Sequence, residues 1–280
     1  MFDSTAAEIE SATAPIAALA DFVAAHPRLF VLTGAGISTA SGIPDYRDLE
    51  GGWKRPPPVT YQAFVGDAAT RARYWARSLI GWRRFGHARP NAAHEALARL
   101  EARGRIAALV TQNVDGLHQA AGSREVVDLH GRLDAVRCLA CERRIPREAF
   151  QHELERRNRA WAQLDALAAP DGDADLDGVD FSGFDVPACG ACGGMLKPDV
   201  VFFGENVPRE RAERAYAHLA ASDAMLVVGS SLMVYSGFRF AREAARAGKP
   251  IAAVNRGRTR ADDLFALKIE RDCAEALAAI

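Results

Sequence analysis

The chain has 280 residues, 49% of them apolar and 25% charged, with a formal net charge of −1. That length can bury a full core, as one large domain or a large domain carrying a smaller one, and the composition excludes a disordered chain. The near-neutral balance gives no global attraction to phosphate polymers, so dedicated nucleic-acid binding is not expected.

No apolar run approaches the roughly 18 residues that a spanning helix needs. The acidic start MFDSTAAEIESA lacks the basic region and apolar core of a secretory signal, and the arginines of a transit peptide. A cytoplasmic protein with reduced thiols and no membrane association is therefore expected.

In chain order, the first strong element is RLFVLT (28–33), a buried strand that runs into Gly34-Ala35-Gly36. A strand followed by Gly-x-Gly brings backbone close to a phosphate. A dehydrogenase fingerprint wants a third glycine where this chain has Thr39, then a second strand ending in an acid about 20 residues on. Here IPDYRDLEGGWKRPPP follows instead, so hydride transfer is not the expectation. The Ser38 and Thr39 hydroxyls and the loop amides still suit a pyrophosphate.

Residues 50–89 continue as an Arg- and aromatic-rich helical insertion, RARYWARSLIGWRRF. NAAHEALARLEARG then predicts a helix with Asn91 as N-cap, Ala93, Leu97 and Leu100 on one face, and Gly104 as the stop. Strands are predicted at RIAALVT (105–111), EVVDLHG (125–131), DAMLVVG (223–229) and PIAAVN (250–255), with helices from Pro208 and over Phe238–Gly248. Several strands are apolar on consecutive residues, as when both faces are covered. Strands alternating with helices predict an α/β domain with a Rossmann-like parallel sheet and helices on both faces. The expected division is 1–49, 90–136 and 205–280 as that domain, 50–89 as the helical insertion, and 137–204 as a small zinc-binding module with a substrate strand.

Polar groups gather where these strands end, which is where open parallel sheets bind ligands. Thr111 is followed by Gln112, Asn113 and Asp115; EVVDL ends at His130; AMLVV ends at Gly229-Ser230-Ser231; IAAV ends at Asn255.

Four of the five cysteines form two Cys-x-x-Cys pairs, Cys138/Cys141 and Cys189/Cys192. Two such turns complete a tetrahedral four-thiolate site with no open position, hence a structural Zn²⁺; redox or incidental core thiols are the competing reading. Cys273 stands apart, as a core thiol would. Asp173, Asp175 and Asp177 start a calcium-loop pattern, but its twelfth position is Phe184, so a solvated acidic loop is expected.

GAGIS with GIPDYR, TQNVDGLH, LHG, the paired Cys-x-x-Cys, KPDVVFFGE, GSSL and the final VN run in order across residues 28–280. Together they resemble a sirtuin, an NAD-dependent protein deacylase, and are most similar to the class II branch. The resemblance implies that NAD is consumed: nicotinamide leaves, and the acyl oxygen of a modified lysine attacks the ribose carbon.

By that resemblance His130 is the general base on a ribose hydroxyl, and Asn113 and Asp115 hold the nicotinamide and ribose with Gln112. Ile43 and Asp45 close the same pocket, Tyr46 (usually Phe) shields the ribose, and Arg47 steadies the cofactor loop. Gly34, Ala35, Gly36 and Ser38 meet phosphate. Ser230 and Ser231, after Gly229, take the phosphate and adenosine side; Asn255 with Arg256 and Gly257 takes the adenine ribose, and Cys273 lies near the adenine.

Val200, Phe202, Gly204 and Glu205 belong to the substrate strand, to which an acyl-lysine peptide adds by strand pairing. Val200 and Phe202 form the lysine tunnel with Val234 and Tyr235. Tyr74 and Arg77 resemble the pair that reads acidic acyl groups, although a solvated basic helix face with a buried aromatic side explains them equally, so acetyl and acidic acyls both stay open. A monomer is expected. Mono-ADP-ribosyl transfer at the same site and an idle NAD sensor are the alternatives.

Overall fold

The computed structural model describes residues 4–164, 178–278 and 280, with side chains from residue 14 onward. The acidic triad Asp173, Asp175 and Asp177 lies outside the described residues. In chain order α1 (Ser4–Ala25) leads into β1 (Leu29–Thr33), and α2 (Tyr61–Gly66) and α3 (Ala68–Phe85) fill the first insertion. Next come α4 (Ala92–Ala102), β2 (Ile106–Thr111), the short α5 (Leu117–Ala120) and β3 (Val126–Asp128). The cysteine-bearing region holds β4 (Gly131–Cys138), β5 (Arg144–Pro146), α6 (Arg147–Arg157) and β6 (Leu196–Val200). The last part holds α7 (Arg209–Ala220), β7 (Ala224–Val228), α8 (Tyr235–Arg246), β8 (Ile251–Val254), β9 (Leu267–Ile269) and α9 (Cys273–Ala278).

The main sheet runs β3-β2-β1-β7-β8-β9, and every pair is parallel. Numbered among themselves these strands lie in the order 3-2-1-4-5-6, the doubly wound arrangement whose ligand crevice opens where the order reverses, here between β1 and β7. Alternate side chains build two cores. Leu29, Val31, Leu226 and Val254 pack with Leu19 of α1, Leu97 of α4 and Leu277 of α9. Phe30, Leu32, Val110 and Val227 pack on the other face with Leu219 of α7 and Phe240 of α8. Helices on both faces explain why these strands read as uninterrupted apolar runs.

α4 starts as its sequence predicts. Asn91 accepts a hydrogen bond from the Ala93 N–H at 2.9 Å, and His94 Nδ1 accepts from the Asn91 N–H at 3.3 Å. The strand predicted to reach residue 131 stops at Asp128, and Gly131 (φ +82°) turns the chain into β4 of a second, antiparallel sheet, β5-β4-β6. A Cβ on Gly131 would stand 2.1 Å from the Asp199 carbonyl oxygen, so the turn packs backbone on backbone. β4, β5 and β9 were not apparent in the sequence, because their apolar positions are few and separated by charges; the predicted strand through Val200–Glu205 is β6 only as far as Val200, and the chain is irregular beyond it. α8 starts at Tyr235, three residues before the predicted Phe238.

A third core joins the insertion to the cysteine-bearing module, through Phe64, Trp75, Phe150, Leu154 and Phe202. Arg147 of α6 is buried there, donating to the Ser78 carbonyl at 3.1 Å with its guanidinium 4.8 Å from the Trp82 ring centre. Among the described residues no helix is long and apolar enough to cross a membrane.

Candidate functional site

A cavity of about 440 Å³ opens at the β1/β7 crevice and extends to the small module. The loops after β1, β2, β7 and β8 supply its floor, the turn after β3 supplies His130, and the end of β6 with the irregular segment after it supplies its far wall.

The loop after β1 is pressed against the loop after β7. The Gly36 N–H donates to the Gly229 carbonyl at 2.8 Å, and a Cβ on Gly229 (φ +60°) would meet the Ile37 nitrogen at 2.2 Å. Side chains at these glycines would collide with the facing backbone, so the two loops can pack this closely at the head of the crevice only with glycine there. Ala35 and Ser38 line it, as do Ser230, Ser231, Asn255 and Arg256 on the opposite side. Backbone, hydroxyls and an amide along an elongated crevice are a donor set that fits a dinucleotide.

Behind that loop the polar groups of the β2 turn lock together. Ser38 donates to Asp115 Oδ2 at 2.7 Å, while Asn113 Nδ2 donates to the Gly34 carbonyl at 3.1 Å and to Ser38 Oγ at 3.0 Å. Burial raises the Asp115 carboxyl above its ordinary range, against the hydrogen bonds from Leu117 and Ser38 that lower it. Gln112 Oε1 accepts from Ser230 Oγ at 2.7 Å, tying β2 to the β7 loop.

His130 is half-buried at the cavity wall. Its Nδ1 lies 2.9 Å from the Gln112 carbonyl, which can only accept, so Nδ1 carries the proton and Nε2 the lone pair. Nε2 accepts a hydrogen bond from Ser236 Oγ at 2.8 Å. Burial, against the Gln112 bond and with Arg211 and Arg239 nearby, pushes the imidazole down to about 4. The site thus holds a neutral imidazole whose Nε2 lone pair accepts from the Ser236 hydroxyl at the cavity wall.

Val200 and Phe202 line the other wall with Tyr74, Gly204, Glu205, Val234 and Tyr235. Phe202 meets Phe64 edge-on at 5.2 Å and Tyr74 at a tilt at 5.3 Å between ring centres. A buried cation shapes this strand: Lys197 Nζ lies 3.1 Å from Glu205 Oε2, which also accepts from the Phe202 N–H at 3.0 Å. Ile43, Asp45, Tyr46 and Arg47 cover the mouth. The Arg47 guanidinium sits 3.5 Å from the Trp53 ring centre, and Trp53 meets Phe203 edge-on at 5.7 Å, which bridges the loop to the segment after β6.

Four predicted residues do not line this cavity. Thr39 is exposed and turns its hydroxyl back onto the Gly36 carbonyl at 3.0 Å. Gly257 packs against Leu49 in a separate surface hollow, with a Cβ site 2.4 Å from the Leu49 carbonyl oxygen. Arg77 is half-buried outside the cavity while Tyr74 faces in, so three-residue spacing did not aim both side chains at one point. Cys273 is buried in the core, its Sγ 3.7 Å from the Val254 carbonyl, and burial pushes the thiol up to about 12. Sequence reasoning missed Trp53, Lys197, Ser236 and Arg239. The Lys in KPDVVFFGE and the Ser after VY were the available signals.

The four cysteines of the two pairs converge, with all sulfurs within 4.8 Å of one another. Cys138 and Cys192 are 3.5 Å apart and Cys141 and Cys189 3.9 Å, far beyond a disulfide bond. Four thiolates around zinc at about 2.3 Å stand roughly 3.8 Å apart, so the set fits one structural Zn²⁺.

The fold and this site define an α/β protein with a doubly wound nucleotide crevice and a four-cysteine module. A model of the Sir2 family matches residues 34–236. The chain is 73% identical over 261 residues to an NAD-dependent protein deacetylase of Xanthomonas campestris pv. campestris (strain 8004), covering 93% of this chain and 89% of the relative. It is 66% identical to an NAD-dependent protein deacetylase of Bordetella bronchiseptica over 272 residues, 97% of this chain and 99% of the relative. A solved structure of Sir2 with a p53 peptide and NAD+ superposes with a TM-score of 0.72 at 31% identity, over 92% of this chain and 94% of that one. The chain belongs to the Sir2 family.

Proposed function

We propose that this chain is an NAD-dependent protein-lysine deacylase, which releases nicotinamide from NAD and passes the acyl group of a modified lysine to ADP-ribose. The observation that carries this reading is the meeting of His130, Asn113, Asp115 and the Val200–Phe202 wall on one crevice. The names of the relatives from Xanthomonas and Bordetella support the activity and the co-substrate.

In this reading the Gly34–Ser38 loop and Ser230 hold the phosphates, and Asn255 with Arg256 holds the adenine ribose. Asn113 and Asp115 orient the nicotinamide end, and Tyr46 and Arg47 close the mouth against water. His130 Nε2 takes a proton from a ribose hydroxyl, with Gln112 fixing the tautomer that makes this nitrogen the acceptor. Val200 and Phe202 line the apolar path for the lysine stem, and their backbone pairs with the peptide. Domain roles follow the two sheets: the parallel sheet holds NAD, while the four-cysteine module, whose sheet begins at Gly131, holds Zn²⁺ and presents the substrate strand. Free thiols in such a module suit a reducing, cytoplasmic setting.

Nicotinamide release measured with acyl-lysine peptides tests the function. Acyl-dependent release, one nicotinamide per lysine freed, is the expected result. Release with label left on protein indicates ADP-ribosyl transfer, and tight NAD binding without release indicates a sensor; either overturns the reading. Acetyl, lipoyl, succinyl and glutaryl forms of one peptide rank the acyl groups.

A further inference from the structure

Two histidines that the reaction does not use sit behind the cavity. His94, in the first turn of α4, and His118, in α5, are both fully buried, and their ring centres are 4.8 Å apart. Their hydrogen bonds fix which nitrogens carry protons. His94 Nδ1 accepts from the Asn91 N–H, so its proton is on Nε2. Thr33 Oγ1 donates to Thr111 Oγ1 at 2.8 Å, so its contact with His118 Nε2 at 2.9 Å is one in which the imidazole donates. His118 therefore keeps its lone pair on Nδ1.

The remaining two ring nitrogens, His94 Nε2 and His118 Nδ1, are buried and have no hydrogen-bond partner among the described residues. One is a donor and the other an acceptor, on neighbouring rings. An unmade buried hydrogen bond costs about 1–3 kcal/mol, so a complementary donor and acceptor on neighbouring rings call for one partner shared between them.

The ends of this chain reach the proposed NAD pocket from both sides. Thr111 Oγ1 accepts from the Asn113 N–H at 3.1 Å, at the turn that carries Asn113 and Asp115. Asn91 Nδ2 donates to the Ile37 carbonyl at 2.8 Å and to Ser41 Oγ at 2.9 Å, in the loop that carries Ser38. Neither imidazole lines the cavity.

We propose that His94 and His118 are a positioning pair, joined from Nε2–H to Nδ1 through one buried water, that holds the two loops of the nicotinamide pocket in register. A water has the two polar partners it needs in these nitrogens. This rests on the reading of the cavity as an NAD site. Tight NAD binding then depends on the pair, whereas the chemical step does not.

His118→Phe keeps ring volume and removes both nitrogens; His118→Gln returns an N–H donor toward Thr33. Both are compared with wild type in the full chain, by kcat and KM for NAD with an acetyl-lysine peptide, by nicotinamide inhibition and by Tm. The expected result for His118→Phe is a KM for NAD raised about tenfold, the weight of one good hydrogen bond, with kcat within about twofold. Nicotinamide inhibition weakens in parallel, Tm is kept, and His118→Gln recovers most of the affinity. A wild-type KM in His118→Phe overturns the proposal, as does a loss of KM and Tm together that Gln does not rescue.

Should wild type itself release no nicotinamide, the functional reading has failed and the pairing is judged by ¹⁵N NMR of the imidazoles. Both rings protonated at Nε2, with a slowly exchanging His94 Nε2 proton, support the pair. A His118 ring protonated at Nδ1 overturns it.

Discussion

His130 Nε2 and Ser236 Oγ stand 2.8 Å apart, joining the turn after β3 to the first turn of α8. The serine donates to the lone pair that the proposed reaction uses, so it favours the neutral imidazole. In Ser236→Ala that support is lost, and a hydrogen bond of about 1 kcal/mol corresponds to an upward move of the His130 pKa by roughly 0.7 unit. The acid limb of the kcat/KM profile for NAD is the measurement, since it reports the free enzyme.

The position of that limb in wild type is itself a prediction. Protonated His130 cannot accept a proton, so activity is present above its pKa and lost as pH falls through it. Because the imidazole is pushed down to about 4, kcat/KM for NAD stays level well below the ordinary histidine value and falls only on approach to that pH. A limb centred at the ordinary value, about 6.5, would contradict the burial argument.

His130→Ala is expected to abolish nicotinamide release while Tm and zinc content stay at wild-type levels. The ring is half-buried at a cavity wall and not in a packed core, so its loss opens little new void. Retained turnover would remove His130 from the reaction.

Cys138→Ser or Cys189→Ser should lower zinc content and Tm together, because a structural zinc site carries folding energy. Both thiols are buried against the third core, so the damage reaches the Phe202 wall. Metal analysis with thermal melts checks this; metal-free protein of unchanged Tm would refute it.

Stability should decline as pH falls from about 6.5 toward 4. His94 is fully buried and held down to about 4 by that burial, and His118 is held well below the ordinary value for the same reason. Between the two pKa values the unfolded chain binds the proton and the folded one does not, so stability is lost as pH drops through this window. A shift of that size at His94 amounts to roughly 3 kcal/mol. Asp115 and Asp128, raised by burial, act in the opposite sense at the acid end. Urea midpoints across this pH range measure the net slope.

The Lys197–Glu205 pair ties β6 to the segment after it, which the proposed function assigns to the peptide. Lys197→Met leaves Glu205 without its cation and is expected to cost about 2 kcal/mol, less than a fully buried case because Glu205 keeps some solvent. The KM for peptide should rise more than the KM for NAD, which steady-state kinetics with each substrate varied in turn will show.

Much of the fold was legible because the main strands are short, uninterrupted apolar runs and most end in a polar cluster. β1, β2, β7 and β8 lie within about a residue or two of the predicted runs, and Asn91 caps α4 as its sequence indicates. The small sheet was not legible, since β4 separates Leu133 and Val136 by charged and small residues, its neighbour β5 is three residues long, and its other partner β6 lies about 60 residues later. In the site, Gly34, Gly36, Asn113 and His130 announced themselves by their place at strand ends. Lys197, Ser236 and the His94–His118 pair did not, because each matters only through a neighbour remote in sequence.

The sequence by itself determined the parallel α/β core, the four-thiolate cluster and the family, since local patterning and fixed spacings carry that information. Only the tertiary structure decided which side chains reach the cavity. It set Tyr74 into the wall and left Arg77 outside, and it buried Cys273 in the core, off the cavity lining. It also turned FVLTGAGIST into a crevice by pressing Gly36 against Gly229. Spacing along a helix or strand gives a direction only to within a face; packing against distant elements selects the final few ångströms in which chemistry happens.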